Sequence, residues 1–462
     1  MSKITSALRA GAAQTDITPA KGIQLAGDIG RYRPVEEIRD PIYAKALVLE
    51  AGGKRVCWLT LDILAMTRPW GDKLRRQAAE RYGFDADAVM VHILQNHAAP
   101  AVGHFFVVDE NDPNPLFTKY PWLLGGDDRY HSFCLDGALK TIGEAVSTMQ
   151  PVRVAVGRGV DGRVAFNRRF VMRDGSARAH PKRCDPNILH CEGPMDPEVG
   201  VMTFTASDGN PVATVLHHTC HPVHGYPERW VTAGWPGAWC NGVKELIGSR
   251  GVVMVLNGFC GNIHHCNHLD PTQSDDYRDM GRKLTETTAT VLKRMTPVEQ
   301  PLLDWQAQWL KIPLRRLTEH ELAGAQRLIR EHPEPLWKDE TRTAVDWGWI
   351  YAACRLDLAK FISRQRLFDY FIQAFRLGNV GVVAAAGEPY VEEQLRIKLN
   401  SPAPFTFTAH MSNHYVGYLP TPDALHSDSF ETRTSICSRL VPEALRTVGD
   451  ALLALLKKLF PA

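Results

Sequence analysis

The chain lacks most of the features that would identify its function at once. No run of apolar residues reaches the length of a membrane span, so no integral membrane association is expected. The N-terminal stretch from Met1 to Gly22 lacks the apolar core of a secretory signal, and a cytoplasmic location is the expectation. No block of Lys and Arg interleaved with aromatics occurs, and the formal net charge is only +2. Neither nucleic acid nor an anionic membrane is therefore indicated as a partner. The ten cysteines form no CxxC pair, and Cys57, Cys220 and Cys260 lie in or beside apolar runs, so buried free thiols in a reducing compartment are expected. There is no GxSxG elbow, Walker A loop, GxGxxG turn or HExxH helix, so serine α/β-hydrolase, nucleotide-binding and zincin chemistries lack their anchors. Internal repeats and low-complexity tracts are absent as well.

What is present reads as a globular chain of 462 residues, long enough for one large domain or two ordinary ones. Arg55–Asp62, an amphipathic stretch over 70–82, and Ala88–Leu94 spell strand, helix, strand, which implies a parallel pair joined by a crossover. Ile42–Leu49, Val152–Arg158, Val199–Thr205, Val212–His217, Val252–Leu256, Val380–Ala386 and Phe405–His410 read as further strands. Helices are expected over Ser132–Thr148, Pro236–Ile247 (with Pro in the first turn), Asp275–Leu292 and Pro442–Phe460. A long aromatic, proline-rich connection from Phe105 to Leu124 is more loop than a compact domain usually carries, and such loops tend to line sites. Residues 319–375 read as a helical insertion rich in Arg and aromatics. The expected architecture is a single mixed α/β catalytic domain over residues 1–462, with largely parallel sheet(s) flanked by helices.

The chemistry gathers where apolar strands end. Seven histidines fall between His217 and His268, and the run from Val252 breaks at glycine turns to deliver His264, His265 and His268 in one loop. Ala88–Leu94 is followed by Gln95, Asn96 and His97; Val212–Leu216 by His217, His218 and His221; Val380–Ala386 by Glu388; and Phe405–Ala409 by His410, Asn413, His414, Tyr415 and Tyr418. Carboxyl ends of parallel strands converge on one crevice. Two or three imidazoles with a carboxylate and room for a water make a ligand set suited to catalytic zinc. Taken singly, each residue has a structural explanation: His221 as a strand cap, Glu388 as an acid near a helix start, Tyr418 as a packed aromatic.

In order along the chain, Gly11 with Asp16-Ile-Thr-Pro19, Ala26-Gly27, Asp40-Pro41, Asn167-Arg168, His221-Pro222, Asn257-Gly258, Gly261-Asn262, Gly387-Glu388 and Asn413 through Tyr418 resemble the neutral/alkaline ceramidase family. The resemblance covers the catalytic region and not the C-terminal immunoglobulin-like domain of that family. It implies a zinc ion held by two His, a Glu and a Tyr, cleaving an N-acyl amide with activated water. It assigns His221, Glu388 and Tyr418 as ligands and Arg168 as an electrostatic clamp on substrate. Three departures stand out. The family's His-x-His-Ser-Gly-Pro motif is here Gln95-Asn96-His97-Ala-Ala-Pro100, so either His97 or Gln95 supplies the first ligand, and His97 is the favoured choice. His264 replaces the serine beside the scissile amide, which makes it the candidate general acid/base. Phe430 stands where a substrate-contacting tyrosine belongs. Gln95, Asn262, His265 and Phe430 are the candidate substrate contacts. The expected function is a metal-dependent hydrolase, amidase-like, acting on a small polar substrate other than ceramide, with zinc or another divalent metal and possible homo-oligomerisation. The alternatives are a metal-assisted lyase or carbohydrate-modifying enzyme that uses His264 as acid/base, and a degenerate fold used only for binding.

Overall fold

The structure is a computed structural model that describes residues 8–248 and 250–461. The elements that position the site are, in chain order, β1 (Arg9–Asp16), β2 (Tyr43–Ala51), β3 (Lys54–Leu61), α1 (Arg68–Tyr82), β4 (Val89–Ile93), α2 (Asp128–Ser147), β5 (Gln150–Val160), β6 (Glu198–Ala206), β7 (Pro211–His218), α3 (Gly234–Leu246), β8 (Val252–Asn257), α4 (Tyr277–Leu292), β9 (Leu303–Pro313), α5 (Glu319–Glu331), α6 (Trp347–Arg364), β10 (Leu367–Leu377), β11 (Val380–Ala385), α7 (Val391–Asn400), β12 (Phe405–Ala409) and α8 (Ala444–Leu459).

The strands form two sheets that pack face to face. The larger has nine strands in the order β8-β7-β6-β5-β1-β2-β3-β4, with the short Thr296–Pro297 strand beside β5; the smaller runs β9-β10-β11-β12. Period-two alternation sorts the side chains. Leu47, Leu49, Trp58 and Met90 of the larger sheet point inward to meet Phe375, Val382 and Phe407 of the smaller. Ala46, Val48, Cys57 and Leu59 point the other way, under Leu74 and Ala78 of α1 and Ala138 and Ile142 of α2. Trp235 and Trp239 of α3 and Leu284 of α4 cover the far half of the same outer face. Leu452, Leu455 and Leu456 of α8 cover the outer face of the small sheet. Four layers result: helices, sheet, sheet, helices.

The sheets are mixed. The middle of the large sheet, from β7 through β3, is antiparallel throughout. Apart from two-residue bridges, parallel pairing belongs to three strand–helix–strand units: β3-α1-β4, β7-α3-β8 and β11-α7-β12. The crossover expected for residues 55–94 is the first of them. The helical insertion is shorter than expected. Residues 319–331 and 347–364 are helical, but Leu367–Leu377 is a strand paired along its whole length with β9. Alternation explains it: Tyr370, Ile372 and Ala374 face α8 while Phe375 and Leu377 face the large sheet.

The three units are pinned to one another at their carboxyl ends by a buried histidine. His92 of β4 contacts the His410 carbonyl through Nδ1 (2.7 Å) and accepts from the Asn257 backbone N–H at Nε2 (2.9 Å). These two partners fix the neutral tautomer, with the proton on Nδ1. Asn257 in turn accepts from Cys220 N–H and donates to the Cys220 carbonyl, and its own carbonyl takes the His410 N–H. The ends of β4, β8 and β12 thereby share one polar node with no solvent access.

Burial, with His410 adding to it, pushes the His92 pKa down to about 3 from an ordinary 6.5. The unfolded chain therefore binds the proton first. Stability from this node is complete above about pH 6.5 and is lost progressively as pH falls toward 3. His92→Ala leaves the Asn257 N–H buried without its acceptor and the His410 carbonyl with the Ser412 hydroxyl alone, and an unfolding free energy lower by about 2–4 kcal/mol is expected. Denaturant midpoints at pH 8, 6 and 5 test both statements; the variant should also lose part of the acid sensitivity of the native chain.

Candidate active site

The three units deliver their following residues into one cavity of about 720 Å³. Its floor holds Gln95 and His97 from the end of β4, Glu388 after β11, and Tyr418 beyond β12. His221 follows β7 and lies buried against Glu388. Arg168, His180 and His264 form one wall; Phe105, Phe106, Tyr415, Trp347 and Tyr351 form another.

Two close backbone approaches shape the floor. Gly27 sits so near the following strand end that a Cβ there would lie 2.2 Å from the His97 carbonyl. That proximity lets His97 Nδ1 reach the Gly27 carbonyl at 3.0 Å. Gly387, with φ +65°, turns the chain just before Glu388; a Cβ would meet the Gly417 carbonyl at 2.4 Å. Gln95 also has positive φ, so the segment carrying Gln95 and His97 is curled rather than extended, yet both side chains reach the cavity.

The hydrogen bonds fix which nitrogen faces inward. His221 Nδ1 is directed at the carbonyls of Cys260 (2.6 Å) and Ile263 (3.1 Å), so it carries the proton. Its Nε2, left with a lone pair, stands 3.1 Å from Glu388 Oε2. His97 repeats the arrangement: Nδ1 on a carbonyl, Nε2 out of solvent and without a partner. The two rings are 6.1 Å apart between centroids. Burial pushes both imidazoles down to about pKa 3, helped by their mutual proximity for His97 and by Arg168 for His221, so both are neutral near pH 7. Burial raises the Glu388 pKa, opposed by hydrogen bonds from Gln95 and Tyr418 and by the Arg168 charge. Burial and Glu388 raise Tyr418 well above the usual phenol range. Lone pairs and a carboxylate thus face one another, an arrangement that a shared proton or a cation would relieve. The ligating atoms of His97, His221 and Glu388 are not all within 4.8 Å of one another; among the described residues, His104, Asp128 and His131 are the trio that meets that distance.

Arg168 is buried and held by a second layer. Its Nε donates to Glu431 Oε1 (2.6 Å) and Nη2 to the Gly261 carbonyl (2.5 Å). The same carboxylate takes Arg169 (2.9 Å) and the Tyr390 hydroxyl (2.7 Å). Burial opposes the Arg168 charge, but Glu431, Tyr418 and Tyr390 together outweigh it and the guanidinium stays ionised. It lies over the rings of Phe430 (5.2 Å) and Tyr418 (5.7 Å). Gln95 is similarly supported: His410 Nε2 meets its Oε1 at 3.1 Å.

His264 lines the cavity, and its Nδ1 accepts from the Cys266 N–H (3.0 Å), which leaves the proton on Nε2. Burial, followed by His265, His180 and Arg168, depresses its pKa well below the ordinary value. Phe430 also lines the cavity, near-parallel to His180 at 6.3 Å. Two expected substrate contacts lie elsewhere. His265 is stacked behind His264 (4.1 Å) and on His224 (3.7 Å), outside the cavity lining. Asn262 is buried as a brace: its Oδ1 accepts the Val391 N–H at the start of α7, and its Nδ2 donates to Glu392. A backbone amide at a helix start needs such an acceptor, and that requirement explains the asparagine. Sequence reasoning passed over His180 and Glu431. Nothing in the local pattern marks His180, whereas Glu431 stands next to Phe430 in a stretch already singled out.

No protein-family model matches the chain. Over 47% of its length it is 23% identical to the neutral ceramidase of Pseudomonas aeruginosa, of which the aligned part is 30%. The crystal structure of that neutral ceramidase superposes with a TM-score of 0.72 at 17% identity, covering 98% of this chain and 75% of the other. A structure of a ceramidase complexed with C2 superposes with a TM-score of 0.71 at 15% identity and the same coverage. The chain therefore has the neutral-ceramidase fold. The uncovered quarter of those structures agrees with a resemblance limited to the catalytic region.

The bracing role of Asn262 makes a direct prediction. Asn262→Ala should lower the unfolding free energy by about 1–2 kcal/mol through the unpaired Val391 amide. It should leave the affinity of any cavity ligand within a factor of two, checked by paired denaturation and ligand titration; a large affinity loss at unchanged stability would restore Asn262 as a contact.

Proposed function

We propose that the chain is a metal-dependent hydrolase that cleaves an N-acyl amide-type bond in a polar substrate other than ceramide. The observation that carries the reading is the pair of inward lone pairs, His221 Nε2 against the Glu388 carboxylate and His97 Nε2 without a partner. His97, His221, Glu388 and Tyr418 would hold a divalent ion, zinc by the chemistry of the donors. When bound, such an ion lowers the pKa of a water to roughly 7 and polarises a carbonyl.

The residues of the chain supply the rest. The carbonyls of Cys260, Ile263 and Gly27 hold the two imidazoles in the tautomer that presents Nε2. Gln95, pinned by His410, supports the Glu388 carboxylate and so takes a positioning role beside His97. Arg168, kept charged by Glu431, faces the negative charge that grows on the acyl oxygen. His264 presents Nε2–H, and as a neutral imidazole it donates a hydrogen bond to the scissile amide while keeping its proton; the proton that the departing nitrogen needs comes from the attacking water. That tautomer disfavours His264 as a resting base, which weighs against the lyase alternative.

The substrate reading follows from the wall. His180 and His264 put two imidazoles where substrate would meet Arg168, and Phe430 supplies no hydroxyl. The aromatic side, from Phe105 to Tyr351, offers contact to an apolar portion of the substrate. A compact acyl group on a polar amine fits both halves better than a long-chain lipid. The unpaired thiols favour a reducing, cytoplasmic setting.

Two measurements decide. Purified protein should contain bound metal that is diminished in His221→Ala and in Glu388→Gln, and turnover of N-acyl amines in ¹⁸O-water should place one solvent oxygen in the released acid. Folded protein that binds no metal at these residues, or an unsaturated product, would overturn the reading. His264→Ala should lower kcat by about 10²–10³-fold with metal content unchanged.

A further inference from the structure

Away from the cavity floor, a second group of metal-competent side chains comes together where the long aromatic loop meets the first turn of α2. His104 Nε2 lies 3.3 Å from Asp128 Oδ1, and His131 Nδ1 lies 3.4 Å from the same oxygen. The three ligating atoms are mutually within 4.8 Å. A tetrahedral ion with bonds of about 2.0–2.1 Å spaces its donors by about 3.3–3.4 Å, so both imidazole contacts to Asp128 Oδ1 match the donor spacing of a coordination sphere. Neither imidazole makes a hydrogen bond to the carboxylate at these positions, so the closeness is not explained by donation. The rings are 5.4 Å apart between centroids, with 69° between their planes.

Burial fixes the helix side of the point: His131 is 4% exposed, with its Nδ1 edge turned to Asp128 and its Nε2 edge out of solvent. Glu110, close enough to His104 and Asp128 to feel both charges, adds negative potential beside the point and keeps one oxygen, Oε1, unpartnered out of solvent. The Asp128 side chain is 83% exposed, which opens the point to water and to an entering ion. Asp128 and His131 are three apart on α2 and therefore share a face.

We propose that His104, Asp128 and His131 form a second site for a divalent transition metal, zinc being the best match to two imidazoles and a carboxylate, with water completing the sphere. The site ties the loop to the helix one residue before Phe105 and Phe106, which form the cavity wall. An ion there would fix the wall and would not take part in the reaction. The proposal is independent of the floor residues, and a single design separates the two.

Chelator-stripped protein is titrated with Co²⁺ by visible absorption and with Zn²⁺ by equilibrium dialysis. The native chain should take up two equivalents, Asp128→Asn and His104→Gln one each, and His221→Ala one. Asp128 is exposed, so its substitution should leave the fold intact. In the His221→Ala background, Zn²⁺ should still raise Tm, and adding Asp128→Asn should abolish that shift. Equal uptake by the native chain and Asp128→Asn would overturn the second site. One equivalent lost in Asp128→Asn but kept in His221→Ala would support the second site and overturn the floor.

Discussion

The three strand–helix–strand units are held in register by His92. Its ring spans the ends of β4, β8 and β12, and it can do so only as a neutral imidazole with the proton on Nδ1. No other residue type offers one donor and one acceptor on a rigid ring at opposite edges. The residues after those strands, Gln95 and His97, Gly258 through His264, and His410 onward, therefore start from fixed points. Asn257 extends the node to Cys220 and so to His221. The floor of the cavity is thus positioned from beneath by backbone and buried polar side chains rather than by the loops above it.

The same logic recurs one layer out. Each inward-facing group is held by a partner the cavity does not reach: His221 by two carbonyls, Gln95 by His410, Arg168 by Glu431, and Glu431 by Arg169 and Tyr390. Buried ion pairs of this kind add little to net stability, because desolvation offsets their attraction. Their effect is to fix direction. Arg168 has its Nε and one terminal nitrogen engaged by Glu431 and Gly261, and its plane is set against Tyr418 and Phe430.

Much of this was legible in the residues. Apolar runs separated by an amphipathic stretch announced the first strand–helix–strand unit and the strands of the other two, because burial on both faces leaves a continuous apolar signature. The polar residues after each run, His97, His221, Glu388 and Tyr418, do come to one place. Failures have physical causes. The strand Leu367–Leu377 was read with the preceding helix because its face alternation is masked by apolar residues on both sides. Asn262 looked like a substrate contact because a motif gives its position and not the direction of its side chain, which is turned toward the start of α7. The grouping of His104, Asp128 and His131 joins a loop to a helix twenty-odd residues later, at a spacing no periodicity describes.

The wall and the floor come from different parts of the chain. The floor is built from strand ends and backbone contacts such as Gly27 on His97, where any added atom collides. The wall draws Trp347 and Tyr351 from α6, a helix outside both sheets, and Phe105 and Phe106 from a loop. Floor and wall are accordingly separable parts of the cavity: exchanging the helix or shortening the loop would reshape the wall while the backbone supports of His97, His221 and Glu388 stayed as they are.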